Sequence, residues 1–202
     1  MTNLLICAMC IFHTYACQSH NPENPQTLGG KNFRLDKLTF KENPTLLLGK
    51  NRFYKTSIKD NNDRIIAFNC VISKKENAAI KVSLGDIDVS KYKCDFKVST
   101  NNKLIGVSVF FTSPKDQKDM ILKNINALYK DYQISINQAN TSPSVYHWEA
   151  PDKIIHFTYA AFEGDYVYQI SIINSKVNCS NFPLEKVFVG EDICLKEYTR
   201  KR

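Results

Sequence analysis

The two histidines in "SVYHWEAPDKIIHFTYAAF" are the residues of this chain whose spacing most directly suggests chemistry. If residues 150–153 form a four-residue loop, Trp148 pairs with Ile155 and Tyr146 with Phe157, which makes an aromatic and aliphatic face. Side chains alternate across a strand, so the opposite, non-core face then sets His147 directly across from His156. Two facing imidazoles are a natural pair of ligands for a divalent transition metal, with Glu149 or Glu163 as a further oxygen donor. The same register equally describes two histidines packed on a sheet or open to solvent. No third well-placed ligand stands out in the sequence.

Other catalytic patterns are missing. There is no GxSxG elbow, no cysteine in a local Cys/His signature and no glycine-rich phosphate loop. The acidic neighbours Glu191 and Asp192, and Asp86 and Asp88, read as surface charge. The expectation is a domain that binds without catalysing and needs no cofactor.

A different chemistry is suggested by Cys17. Residues 4–12 (LLICAMCIF) are an unbroken apolar block, far short of the ~20 residues that cross a bilayer. An apolar stretch of this size followed by small residues matches a cleavable export signal. Cys7 and Cys10 sit inside it and read as apolar filler. Thr14-Tyr15-Ala16-Cys17 resembles the lipobox of bacterial lipoprotein precursors, in which a small residue precedes the cysteine whose thiol is acylated. Thr14 stands where an apolar residue is usual, and residues 1–3 carry no Lys or Arg. The resemblance implies that residues 1–16 are removed and that Cys17 carries the lipid. Ordinary cleavage after Ala16, leaving a secreted protein, is the alternative.

Residues 18–32, with Pro22, Pro25, Gly29 and Gly30, lack apolar periodicity and read as a flexible tether. Residues 33–202 are then enough for one domain with one core. The net charge of +7 falls entirely after the leader. Spread over turns, with a small cluster at 196–202, it reads as a solvated surface, and no nucleic-acid-binding motif accompanies it. In an exported chain Cys70, Cys94, Cys179 and Cys194 meet an oxidising compartment. Cys179 and Cys194 are the favoured pair, a closure worth about 3 kcal/mol; Cys70 and Cys94, in strand-like runs, read as buried thiols.

Alternating residues predict strands at 33–40, 52–58, 64–73, 78–84, 92–99, 104–112, 144–149, 154–162 and 166–174, with a hint of another at Val187 and Phe188. A four-residue loop at 100–103 would pair Val98 with Ile105, Phe96 with Val107 and Cys94 with Val109. One helix interrupts the strands. Ser113 is its expected N-cap, Pro114 its first residue and Asp116 its N3, with Ile121, Ile125, Leu128 and Tyr132 inward and Lys118, Lys123, Asn126 and Lys130 outward. The expected fold class is α+β, a mainly antiparallel sheet with one principal amphipathic helix packed on it.

These features lead to an expected cell-envelope protein, lipid-anchored at the outer membrane or periplasmic face, that binds a protein, glycan or small ligand or supports the envelope. The alternatives are an exported metal-binding or hydrolytic protein using His147 and His156, and a toxin-neutralising lipoprotein.

Overall fold

The computed structural model describes residues 32–49, 53–72, 80–134, 143–177, 182–183 and 187–188. In chain order the strands are β1 (Phe33–Arg34), β2 (Phe53–Lys59), β3 (Ile65–Ile72), β4 (Val82–Leu84), β5 (Ile87–Asp88) and β6 (Lys93–Ser99). They continue with β7 (Leu104–Ser113), β8 (Gln133–Ile134), β9 (Ser144–Glu149), β10 (Lys153–Phe162) and β11 (Asp165–Asn174). Eight of them form one antiparallel sheet in the order β2-β3-β6-β7-β11-β10-β9-β8. The other three form a small sheet, β1-β4-β5, in which β1 and β4 run parallel. With the principal helix α2 (Lys118–Tyr129) packed on the large sheet, the fold class is α+β, as expected.

The last meander follows the sequence closely. Trp148 opposes Ile155, Tyr146 opposes Phe157, and His147 opposes His156. Glu163 and Gly164 both have positive φ, +48° and +87°. That is the mirror-image turn whose twist suits a two-residue hairpin, and glycine takes its second position without steric cost. β11 then pairs back with β7, so the helix is spanned by a sheet connection and the meander is not a separate unit.

One face of the sheet carries Phe96, Val107, Val109, Ile155, Phe157, Ile170 and Trp148, all buried against α2 through Ile121, Ile125 and Tyr129. Two expectations for α2 are corrected. The helix starts at Lys118 and not after Ser113, because Ser113 is still the last ladder residue of β7, opposite Tyr166. Its hydroxyl serves the next turn instead, accepting from the Lys115 N–H at 3.1 Å and from the Gln117 side-chain amide at 2.9 Å. The buried face is also rotated: Tyr129 is inside, while Leu128 and Tyr132 are 36% and 41% exposed. Polar contacts explain the rotation. The indole N–H of Trp148, fully buried, needs an acceptor and finds the Asn126 side-chain carbonyl at 3.0 Å, which draws Asn126 inward. Tyr132 lies beyond the α-helix, in a tighter 3-10 turn at Lys130–Tyr132.

Three strand assignments also change. The run expected at 33–40 is extended only at Phe33–Arg34 and then winds into a 3-10 turn, Leu35–Lys37. Asp36 is the reason: its carboxylate is held by the Arg34 guanidinium at 2.6 Å and by the Gly85 N–H at 3.0 Å, so it cannot alternate outward. The four residues 100–103 do connect β6 and β7, but the closing register differs, since the Ser99 N–H bonds the Lys103 carbonyl at 2.9 Å and Asn102 adopts φ +56°. A bulge at Lys97/Val98 follows; Phe96 still opposes Val107 and Cys94 still opposes Val109, but Val98 opposes Leu104. Ile105 is thereby turned to the opposite face. Val187 and Phe188 are not in a strand; they are buried against Ala67, Ile105 and Ile173 as a second apolar cluster.

Gly106 sits where β7 meets that cluster. A Cβ there would lie 2.6 Å from the Ile172 carbonyl oxygen and 2.8 Å from the Phe188 ring. The carbonyl is fixed by the β7–β11 ladder and cannot yield. Gly106→Ala is expected to destabilise the fold by about 1–3 kcal/mol, the usual cost of overpacking, measured by urea denaturation. A variant as stable as the native chain would show that β7 and β11 are not held this closely.

Candidate functional site

The histidine register puts chemistry-bearing side chains on the second face of the sheet, and the topology extends the pattern. His147 opposes His156, His156 opposes Ser171, Ser171 opposes Ser108, and Ser108 opposes Asp95. One polar row thus crosses five strands, from β9 to β6. The local registers expose the His147/His156 step and Asp95 against Ser108, but the Ser171–Ser108 step that joins the two ends needs the β7–β11 pairing of strands far apart in the chain.

This face was expected to be non-core, and that is corrected. Both histidines are 1% exposed and Ser171 is fully buried. Their rings stand edge to face with centroids 5.6 Å apart, and His147 Nε2 is 3.3 Å from Glu149 Oε1. The two serine hydroxyls bond each other at 2.8 Å. At the other end, Asp95 lies 3.1 Å from the Lys93 ammonium, and the Lys97 ammonium donates to the Asn69 side chain at 3.0 Å. Of the residues proposed for metal, the structure sets His147 beside His156 and within 3.3 Å of Glu149. Among the described residues no group of three His, Cys, Asp or Glu side chains has metal-holding geometry. Glu163 is in the β10–β11 turn, away from the pair.

The thiols follow the same logic. Cys70 and Cys94 are buried and unbridged. Burial pushes the Cys94 thiol up to about 12, with the Asp95 charge adding to it. Burial also raises Cys70, against the opposing charges of Lys55 and Lys97. Neither is poised as a nucleophile, which requires the thiolate. Cys17, the leader and tether, and the expected Cys179–Cys194 pair lie outside the described residues.

A second polar cluster sits where α2 begins. Asp116 accepts from the Lys118 N–H at 2.8 Å, from the Tyr159 hydroxyl at 3.0 Å and from the Tyr168 hydroxyl at 3.2 Å. Burial alone would raise its carboxyl, but these bonds and the Lys118 charge outweigh it and hold the group below its ordinary range. Tyr168 also accepts the Gln117 N–H at 2.6 Å and stacks on Phe111, which stacks on Tyr92 at 4.0 Å. The cluster secures the helix start.

The opening that sequence reasoning missed is a cleft of about 190 Å³ at the far end of the helix-side face. It is lined by Pro44, Leu48, Gly49, Lys55, Cys70 and Val98, with Thr45 and Asn102 at its polar side. A short helix, α1 (Pro44–Leu48), forms one wall. Its signal was present in "NPTLLLG": Asn43 caps it by accepting from the Thr45 N–H at 2.9 Å, proline occupies the first turn, and Gly49 ends it. The other wall comes from the β2–β3 hairpin and from β6, which the β3–β6 pairing sets beside it.

The tyrosine cluster generates an alkaline prediction. Burial first, then the neighbouring Asp116 carboxylate, pushes Tyr159 up to about 12. Burial likewise dominates the rise of Tyr168 to about 12, against the Gln117 N–H. An acid whose folded pKa is raised stabilises fully below its unfolded value, near 10, and loses that contribution as pH rises through the folded one. The melting temperature should therefore fall between roughly pH 10 and 12, and Tyr168→Phe should flatten the decline. An unchanged slope in that variant would dismiss the cluster as its cause.

Comparison with known proteins places nothing beside this geometry: no family model, no curated protein and no solved structure matches the chain.

Proposed function

We propose that this chain is a lipid-anchored cell-envelope protein whose β-rich domain binds a partner without transforming it. The observation that carries the binding half is where the reactive groups lie. The imidazoles of His147 and His156, the hydroxyls of Ser108 and Ser171, and the thiol of Cys94 are buried within the described packing, and Cys70, at the cleft wall, is 3% exposed with its thiol pKa raised by burial. What faces solvent is a cleft with an apolar floor beside the β2 edge. A nucleophile or general base must reach its substrate, whereas a binding module needs only a shaped surface. The anchor half is supported by the apolar block at 4–12, by the lipobox-like run ending in Cys17, and by the Pro- and Gly-containing sequence before Asn32. Lipidation at Cys17 followed by a flexible segment would let the domain stand off a membrane.

Intact-mass analysis of the mature protein tests the anchor. The expected species begins at Cys17 and carries diacylglycerol and a further acyl chain, and Cys17→Ala should leave the membrane fraction. A cytosolic chain that retains Met1 and bears no lipid would overturn the anchor and the envelope role together.

The opposed His147/His156 pair, with Glu149 3.3 Å from His147, favours one second reading, that of an exported metal-binding protein. In that case Zn²⁺ raises the melting temperature of the native chain and leaves that of His147→Ala unchanged. If Zn²⁺ shifts neither, or both equally, the reading fails.

A further inference from the structure

We propose that the cleft and the adjoining edge of β2 form a docking site for an extended peptide segment, which adds to the large sheet as a further strand. One of its aliphatic side chains enters the cleft, and an acidic residue of the segment meets Lys55. This rests on the binding reading above, not on the anchor.

Size selects this class of occupant. The cleft's ~190 Å³ corresponds to roughly six water-sized volumes, enough for one leucine-like side chain. A free molecule of that size has few atoms with which to offset the freedom lost on association. The polar groups at the rim do not compensate, since the Asn102 side-chain amide is already spent on the Thr45 hydroxyl at 3.3 Å. The occupant therefore needs a second source of affinity, and the sheet supplies one beside the cleft.

β2 is the outermost strand of the sheet, and among the described residues it pairs with β3 alone. Its outer row of N–H and C=O groups is the kind of edge to which peptide strands add, with main-chain bonds giving affinity and side-chain pockets giving selectivity. Lys55, which lines the cleft, is itself a β2 residue, so the pocket opens at the strand that would receive the peptide. Leu46 of α1, beside the cleft-lining Thr45, is among the most exposed large apolar side chains at 67%.

Charge decides between partners. Lys55 lies on this edge with its ammonium over the Phe68 ring, 3.8 Å from the centroid, and so keeps its charge unneutralised, whereas Lys59 pairs with Asp63 at 3.5 Å; the chain carries net charge +7. A second copy would bring lysine edge against lysine edge, which is how natural proteins discourage self-pairing. An acidic strand meets the same edge favourably.

The test titrates the full-length protein with a capped heptapeptide that has leucine at its centre, aspartate two positions to either side and threonine elsewhere. Backbone amide shifts should concentrate in β2 and α1. Replacing the central leucine by alanine, or both aspartates by lysine, should weaken binding about tenfold or more. Thr45→Trp, a substitution at an exposed rim position, should close the cleft and abolish the leucine preference. Lys55→Glu should remove the aspartate preference while the fold persists. The inference is overturned if β2 amides do not move, or if all three peptides bind alike. It is also overturned if 4-methylpentanoate alone binds as tightly as the peptide, or if the protein pairs with itself through β2 in sedimentation. None of these outcomes bears on the acylation of Cys17, which mass analysis decides separately.

Discussion

The arrangement depends on one buried cation. Lys153 opens β10, and its ammonium donates to the main-chain carbonyls of Asp36 and Leu38, each at 2.9 Å, with the Asp152 carboxylate 3.1 Å away. The lysine is only 6% exposed, a placement lysine rarely takes unless its donors are used. Those carbonyls end the 3-10 turn after β1, and the Tyr129 hydroxyl of α2 donates to the Asp36 carbonyl as well, at 3.4 Å. The Asp36 carboxylate meanwhile binds Arg34 and the Gly85 N–H in the β4–β5 turn. The small sheet, the principal helix and the large sheet therefore converge on a single residue. Removing the ammonium would take the lysine donor from both carbonyls and leave Asp36 only the longer bond from Tyr129, at roughly 1–3 kcal/mol for a carbonyl left unsatisfied.

That junction sets where the rest can go. With the small sheet and α2 held over β9 and β10, the helix turns Asn126 toward Trp148 and lets Leu128 drift to the surface. At the other end of the same face, near β2 and β3, the short α1 leaves the cleft partly open. The opposite face divides too, between an apolar cluster around Ile105, Ile173 and Phe188 and the polar row from Asp95 to His147. Buried polar groups aligned in register make a one-residue slip costly, because every hydroxyl and imidazole in the row would lose its neighbour. The row is therefore a device for fixing strand register as much as a reservoir of chemistry.

Much of the fold is legible in local patterning. The hairpin around 150–153 declares itself through Trp148, Tyr146, Ile155 and Phe157, and His147 against His156 follows from alternation alone. Local patterning goes wrong where a distant partner intervenes. Asp36 is drawn inward by Gly85, nearly fifty residues away, and the strand expected at 33–40 collapses into a turn. Asn126 looks solvent-facing by helical period until Trp148 claims it. The cleft was invisible for a related reason: α1 has a legible cap, proline and terminal glycine, and Lys55 faces Cys70 in the β2–β3 hairpin, but Val98 joins them only through the β3–β6 pairing, which no hairpin rule predicts.

The amino-acid sequence by itself determined the periodicities, and with them the α+β class, most strand positions and the face each side chain takes within a hairpin, because these depend on residues only a few positions apart. Tertiary structure decided which strands lie side by side, that the histidine face is buried and runs on through Ser171 and Ser108, and that a cleft opens beside the β2 edge. Those outcomes follow from long-range pairing and from buried polar groups finding donors and acceptors far along the chain. Their energies are absent from any local window, however regular its pattern.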